Sequence, residues 1–343
     1  MTLSPGPDGP VVSHDTDPRS PRRQAEVSGA TRRRRRLLIA SAALLLVAGL
    51  LVVNAQVVAR QSAPAGASST LPLSGGDIYV RQDGPAGAPP LVLIHGLASS
   101  SRAWDALVPL LTPSHRVIRI DLLGHGRSAK PAGDGYGMPE QGRRVGAVMD
   151  RLGIEHAAVI GHSTGGAVAT ALAEQRPELV TSLVLIDTAP RLAAAVSSGG
   201  GVGGLLYTPV VGQLLWRLRT DSLIRNAASS AFSRPGFAIP QTVVDDARGM
   251  TYHALVATTQ TGDDYVNQRA LPDRLAPLGK PLLVIFGQDD RRWRSSSAAE
   301  YRAVPGAKVE VLPGVGHSPI MEDPPRTAAL VLAFTAGPTT TAH

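Results

Sequence analysis

The chain predicts an α/β protein: a mostly parallel central sheet flanked by helices, with a helical cap inserted between two of its strands. Three observations lead there. Short continuous apolar runs recur at Leu91 to His95, Val117 to Asp121, Ala157 to Ile160, Leu183 to Asp187, Pro281 to Phe286 and Val309 to Leu312. Segments of helical spacing separate them, and strands that are apolar throughout belong to sheets covered on both faces. The rhythm then stops between residues 191 and 270, which open on SSGGGVGG and hold helical stretches but no strand run.

The elements follow in order. Residues 1–36 are rich in Pro, Gly, Ser and charge and read as a disordered basic tail. After the arginine cluster Arg32 to Arg36 no charge appears until Arg60, so residues 37–59 form an uncharged stretch long enough to cross a bilayer. The arginines set its direction, with the N-terminus cytoplasmic and the large C-terminal part outside. The expectation is a single-pass signal anchor. The alternative is a secreted protein, cleaved near Val53-Asn54-Ala55 or Val57-Val58-Ala59. Residues 60–75 read as a linker.

The body begins at residue 76, and its first part runs to residue 190. Ile78 to Arg81 is a short edge strand. Ser101 to Leu111 has helical spacing through Trp104, Leu107, Leu110 and Leu111, and Glu140 to Leu152 and Gly165 to Glu174 are further helices. Residues 191–270 are the cap, 271–337 the second part of the body with a last helix at 325–335, and 338–343 a tail.

Composition removes several function classes. The chain has no cysteine, which excludes disulfides, thiolate metal sites and a cysteine nucleophile. Its formal charge of +7 is concentrated in the N-terminal arm, where eight arginines face four acidic residues within positions 1–36. The body is near neutral and carries no basic stripe, so no nucleic-acid partner is expected.

Chemistry centres on Gly161-His162-Ser163-Thr164-Gly165. Between an apolar strand and a helix this pattern builds a tight turn that lifts a serine hydroxyl out of the backbone. A serine hydroxyl needs a base. His317, in Gly314-Val315-Gly316-His317-Ser318 after the last strand, is the candidate. His14 and His343 lie in tails, His115 and His156 near strand starts, and His253 in the cap. His95, His125 and His162 sit in motif loops and suit supporting hydrogen bonds. The base needs a carboxylate to fix its tautomer. Asp289 and Asp290, at the end of the Leu282 to Phe286 run, both qualify by position. An oxyanion hole needs two backbone donors. Thr164, directly after the serine, offers one, and Leu97, after His95-Gly96, offers the other.

The order Ser163, Asp290, His317 on this strand–helix pattern resembles the α/β-hydrolase fold superfamily, in its serine-nucleophile, capped form. The resemblance covers about residues 76–337. It rests on Leu93-Ile94-His95-Gly96, on Asp121-Leu122-Leu123-Gly124-His125-Gly126-Arg127-Ser128, on Gly161 to Gly166, on Gly287-Gln288-Asp289-Asp290 and on Gly316-His317. It implies that the acid is Asp290 rather than Asp289, that the His-Gly loop supplies an oxyanion donor, and that the cap shapes the pocket. Branches with an aspartate nucleophile are excluded by Ser163. The lipase-type His-Gly-Gly-Gly is absent, and Thr164 stands where perhydrolase-like relatives often have methionine. Arg291-Arg292-Trp293 departs from the apolar residues and proline that many relatives carry after the acid.

The expected function is therefore a serine hydrolase acting through an acyl-enzyme on a small-molecule carboxylic ester, with no metal or organic cofactor required. A carbon–carbon bond hydrolase of the same fold is an alternative. So is a membrane-tethered ligand-binding or sensing protein with a slow triad. Within the cap, Tyr207, Trp216, Phe232 and Tyr252 are the candidate substrate-binding residues.

Overall fold

A computed structural model of the chain describes residues 21–62, 69–196 and 202–336. Residues 1–20 of the expected tail, part of the linker (63–68), the glycine run at 197–201 and the tail from 337 lie outside the described residues. The chain divides into two units, Met1–Val57 and Val58–His343.

The N-terminal unit holds α1, Pro21–Ser62, a helix of 42 residues. Its candidate membrane span, Arg32–Val53, opens on the arginine cluster and covers 22 residues, with a mean hydropathy of 2.5 and no buried residue in its most apolar stretch. The uncharged part of the helix, residues 37–59, is about 35 Å long at 1.5 Å per residue, enough to cross a bilayer's hydrocarbon. Residues 21–36, expected as a disordered tail, are helical instead. Once nucleated in the apolar stretch, a helix extends through arginine-rich sequence at little cost.

The second unit is built on an eight-stranded sheet of order β1-β2-β4-β3-β5-β6-β7-β8. Its strands are β1 Thr70–Leu71, β2 Ile78–Asp83, β3 Pro90–Ile94, β4 Arg116–Ile120, β5 Ala157–His162, β6 Val180–Ile186, β7 Leu282–Gly287 and β8 Lys308–Leu312. Pairing is antiparallel at β1·β2 and β2·β4 and parallel from β4 through β8. Two expectations need correction. The edge strand is not β2 but β1, which lies within the segment expected as linker. Two residues carry no readable pattern, and β1 exists because Thr70 and Leu71 pair with Tyr79 and Ile78. Residues 101–111 are not one helix. They form a 3₁₀ turn, Ser101–Trp104, and the short α2, Val108–Leu111. Pro109 can sit in the first turn of a helix but lacks the N–H that an interior position donates.

The inner strands sort their side chains by parity. Leu91 and Leu93 of β3, Ile160 of β5 and Ile285 of β7 face one buried cluster with Trp104, Leu107, Leu111 and Val331. Val92, Ile94, Val159 and Val284 face the other, with Val145, Val148 and Leu172. Each fully buried aliphatic side chain contributes about 1.5–3 kcal/mol. The covering helices are α3 Met138–Arg151, α4 Thr164–Gln175, α10 Leu271–Leu275, α11 Pro319–Glu322 and α12 Pro324–Thr335, with the cap helices α5 Val202–Leu205, α6 Val211–Arg217, α7 Asp221–Ala228, α8 Gln241–Gly249 and α9 Tyr252–Gln268 placed between β6 and β7. Start signals are local. Pro139 and Pro324 stand in the first turns of α3 and α12. The Thr251 hydroxyl accepts from Ala254 N–H at the start of α9. The loop after β4 is tied by Asp121, whose carboxylate accepts from the N–H groups of Ser101 and Arg127 at 2.6 and 2.7 Å.

Candidate active site

β5 runs into α4 with one residue between them. That residue, Ser163, turns the chain at φ 52° and ψ −124°, a region side chains with a Cβ rarely occupy. The turn is held by Ser163 N–H donating to Ile186 O at 2.9 Å and Gly166 N–H donating to Ser163 O at 2.9 Å. It fits only because the flanking residues are small. A Cβ on Gly165 would lie 2.5 Å from His95 O and closer still to Ile94 O, and one on Gly161 would lie 2.5 Å from Gly166 Cα.

The structure brings together three residues from three separate segments. Ser163 Oγ lies 3.0 Å from His317 Nε2, and His317 Nδ1 lies 2.8 Å from Asp290 Oδ2. His317 follows β8 and Asp290 follows β7, and both are buried. The other oxygen of Asp290 accepts from the N–H groups of Arg292 and Trp293 at 2.7 and 3.2 Å. Asp289 is exposed. Burial pushes the His317 imidazole below its ordinary value, and Asp290 offsets this in part. Burial alone would raise the Asp290 carboxyl. The hydrogen bond and charge of His317, with the two backbone N–H groups, outweigh it and hold the carboxyl below its usual range. At neutral pH His317 is uncharged, with Nδ1–H toward the carboxylate and Nε2 free to accept from Ser163 Oγ.

Leu97 and Thr164 line the same cavity as Ser163. Among the described residues neither backbone N–H finds an acceptor. The chain at Gly96 passes close enough that a Cβ there would lie 3.1 Å from Ser163 Cβ. The loop histidines support this geometry. His162 Nε2–H donates to His317 O at 2.7 Å, which steadies the loop that carries His317. His95 Nε2 accepts from Leu122 N–H at 3.0 Å, and its Nδ1–H donates to Gly96 O at 2.7 Å. Burial holds His162 and His125 down at about 3, so both are neutral.

Asp187, directly after β6, has oxygens within 4.8 Å of ligand-type atoms of Asp290 and His317. Such a cluster can hold a cation in principle. Here His317 Nδ1 and Asp290 Oδ2 are engaged with each other, and burial together with the charge of Asp290 raises the Asp187 carboxyl well above its ordinary value. The raised Asp187 carboxyl favours its protonated form beside the Asp290 carboxylate.

A cavity of about 180 Å³ opens on Ser163. None of Tyr207, Trp216, Phe232 and Tyr252 lines it, which corrects the substrate-binding expectation. Tyr207 is exposed. Trp216 donates to Met250 O, Phe232 stacks on Phe237 at 5.0 Å, and Tyr252 donates to Leu206 O. These aromatics hold the cap together. The cap wall of the cavity is instead one stripe of α9: Thr258, Thr259, Gly262, Asp263 and Val266. Their spacing was readable as a helix face, but nothing local told which face would meet the serine. Arg292 and Trp293 complete the wall from the loop after β7.

The family model for the alpha/beta hydrolase fold matches residues 89–324. Among curated relatives, the bifunctional esterase/perhydrolase DCH of Acinetobacter calcoaceticus is 30% identical over 257 residues, 71% of this chain and 90% of that protein. The magnesium-chelatase 30 kDa subunit of Rhodobacter capsulatus is 31% identical over 250 residues, 70% of this chain and 84% of that one. Among solved structures, the N-acyl homoserine lactonase AidH complexed with N-butanoyl homoserine superposes with a TM-score of 0.67 at 25% identity, covering 80% of this chain and 98% of that one. Matched by the family model across more than half its length, and related at 30% identity or above to proteins it covers almost end to end, the chain belongs to the α/β-hydrolase fold family.

Proposed function

We propose that the protein is a serine hydrolase of small carboxylic esters, held at a membrane by residues 37–59. One observation carries the reading: the continuous line from Ser163 Oγ through His317 to Asp290, at 3.0 and 2.8 Å, beside two unspent backbone N–H groups. In this reading Ser163 Oγ attacks the acyl carbonyl and its proton passes to His317 Nε2. Asp290 stabilises the imidazolium. The N–H groups of Leu97 and Thr164 hold the oxyanion, each donor contributing about 10²–10³ in rate. His317 then gives its proton to the departing alkoxide, and the tetrahedral species collapses to an ester of Ser163. A water molecule attacks that ester while His317 takes its proton, and the acid product leaves with Ser163 Oγ–H restored. The esterase and lactonase relatives fit a cleavage of this kind. An N-terminal helix whose uncharged stretch, residues 37–59, follows an arginine cluster supports the anchor, with the body on the outer side.

The test is hydrolysis of p-nitrophenyl esters from acetate to decanoate by the full-length protein in detergent. Turnover is expected on short acyl chains, as the small cavity requires. Ser163→Ala is expected to lose about 10⁴-fold in kcat with its circular dichroism unchanged. Equal turnover by Ser163→Ala would sink the assignment. A fluorophosphonate should add its mass to the peptide containing Ser163 and to no other.

A further inference from the structure

The cavity at Ser163 is mostly apolar, walled by Leu97, Ala167, Ala189, Leu192, Val266 and Leu271. Set into that wall are polar groups with unused hydrogen-bonding capacity among the described residues. Trp293 Nε1 and Thr258 Oγ1 are buried and have no hydrogen-bond partner among the described residues. Thr258 is only 1% exposed. The Arg292 side chain makes one hydrogen bond, from Nε to Ser230 Oγ at 3.2 Å, and no ion pair among the described residues. Arg292 lines the same cavity as Ser163.

These groups are costly as they stand. An unmet buried donor costs about 1–3 kcal/mol, and the half-buried Arg292 guanidinium has N–H groups to spare. An indole N–H and a guanidinium can only donate, so what satisfies them is an acceptor. Beside a cation the best acceptor is an anion, and a planar carboxylate matches the guanidinium fork. Asp290 is not that partner, because His317 and two backbone N–H groups already take its oxygens. Asp263 lines the same cavity from α9 with no side-chain hydrogen bond among the described residues, and burial beside Asp264 raises its carboxyl. It disfavours an anion on its own stretch of α9, which leaves the loop after β7 together with Thr258, more than a helical turn earlier in α9.

We propose that Arg292 and Trp293, with the Thr258 hydroxyl in the same cavity, form a carboxylate-recognition subsite, and that the preferred substrates are short esters carrying a carboxylate away from the scissile bond. The subsite rests on the serine-hydrolase reading of Ser163. It also gives a use to the Arg291-Arg292-Trp293 stretch, the point where the sequence departs from many α/β-hydrolases.

Matched pairs of esters separate charge from size. One pair carries the carboxylate on the alcohol side, para-acetoxybenzoate against its methyl ester. The other carries it on the acyl side, p-nitrophenyl hydrogen adipate against p-nitrophenyl hexanoate. With the full-length protein at low salt, kcat/KM is expected to favour the anionic member of at least one pair by about tenfold. The preference should sit in KM and shrink as salt is added. It should fall about tenfold in Arg292→Gln and less in Arg292→Lys. Both substitutions leave the backbone N–H on Asp290 in place. If Arg292→Gln fails to fold, Trp293→Phe, which keeps most of the aromatic ring area and deletes the donor, carries the same comparison. A ratio at or below one in both pairs overturns the subsite, as does a ratio that the variants leave unmoved. Absence of Ser163-dependent turnover on every member of both pairs overturns the hydrolase reading and the subsite with it. Ser163-dependent turnover without preference overturns the subsite alone.

Discussion

Asp187 and Asp290 follow neighbouring strands, β6 and β7, so the sheet itself sets two carboxyl groups side by side behind His317. Asp187 is fully buried and holds φ 44°, a conformation that Asp and Asn tolerate better than most residues. One of its oxygens accepts from Gly287 N–H at 2.9 Å, and the other has no partner among the described residues. Burial, then the charge of Asp290, raises its carboxyl well above the ordinary value. A carboxyl raised on folding contributes its full stability below the unfolded-state value near 3.9 and loses it as pH climbs toward the folded-state value. The folded protein therefore carries a penalty that grows with pH by about 1.4 kcal/mol per unit until Asp187 ionises. Asp187→Asn removes that titration, keeps an oxygen for Gly287 N–H and suits the same φ. Urea unfolding of the body at pH 5 and pH 8 should show the variant gaining on the native protein as pH rises. A difference between the two proteins that is the same at both pH values would contradict the protonated Asp187.

Ser163 owes its position to a junction of two elements rather than to contacts of its own. β5 ends and α4 begins with a single strained residue between them, and the glycines either side let strand and helix close on it. Gly165→Ala places a methyl group against two backbone carbonyls of the neighbouring segment, neither of which can step aside cheaply. It should cost about 1–3 kcal/mol in stability and more activity than that loss explains, because the elbow moves. Gly146→Ala, inside α3, is the contrast. Its new Cβ would meet Leu172 Cδ1 at 3.4 Å, an ordinary contact, so the helix should gain up to about 1 kcal/mol. Equal effects of the two substitutions on Tm and on kcat would argue that the turn is not under this constraint. The junction was legible in the sequence because every part of it is local: an apolar run, a Gly-x-Ser-x-Gly turn and a helix start. So were the strands that end in His95, Asp187 and Gly287. What could not be read was decided at a distance. β1 exists only through its pairing with β2. The cavity wall depends on which face of α9 the cap turns inward, and aromatic size was no guide, because Trp216, Phe232 and Tyr252 are engaged inside the cap.

At the scale of the whole chain, charge and hydropathy divide along one line. The arginine cluster and the apolar stretch belong to the N-terminal arm, and the body is near neutral. On the anchor reading proposed above, the arm's arginines serve topology rather than chemistry, since the residues grouped at Ser163 all come from the other unit. The absence of native cysteine makes this directly measurable, because a single introduced thiol is the only one present. Ser4→Cys marks the arm, and Ala336→Cys marks an exposed position at the far end of the body. In intact cells a membrane-impermeant maleimide should label Ala336→Cys and spare Ser4→Cys until the membrane is opened. On that reading, replacing Arg32 to Arg36 with glutamine removes the charge expected to hold the arm inside, at roughly 1 kcal/mol per residue near an anionic surface. Both positions should then label in part, while kcat/KM of the detergent-solubilised protein stays at its native value. Labelling at both ends in the native chain, or release of the body by an alkaline wash, would show that residues 37–59 do not hold it as a single-pass anchor. Lost turnover in the glutamine variant, with the body still folded, would show that the arm takes part in the chemistry after all.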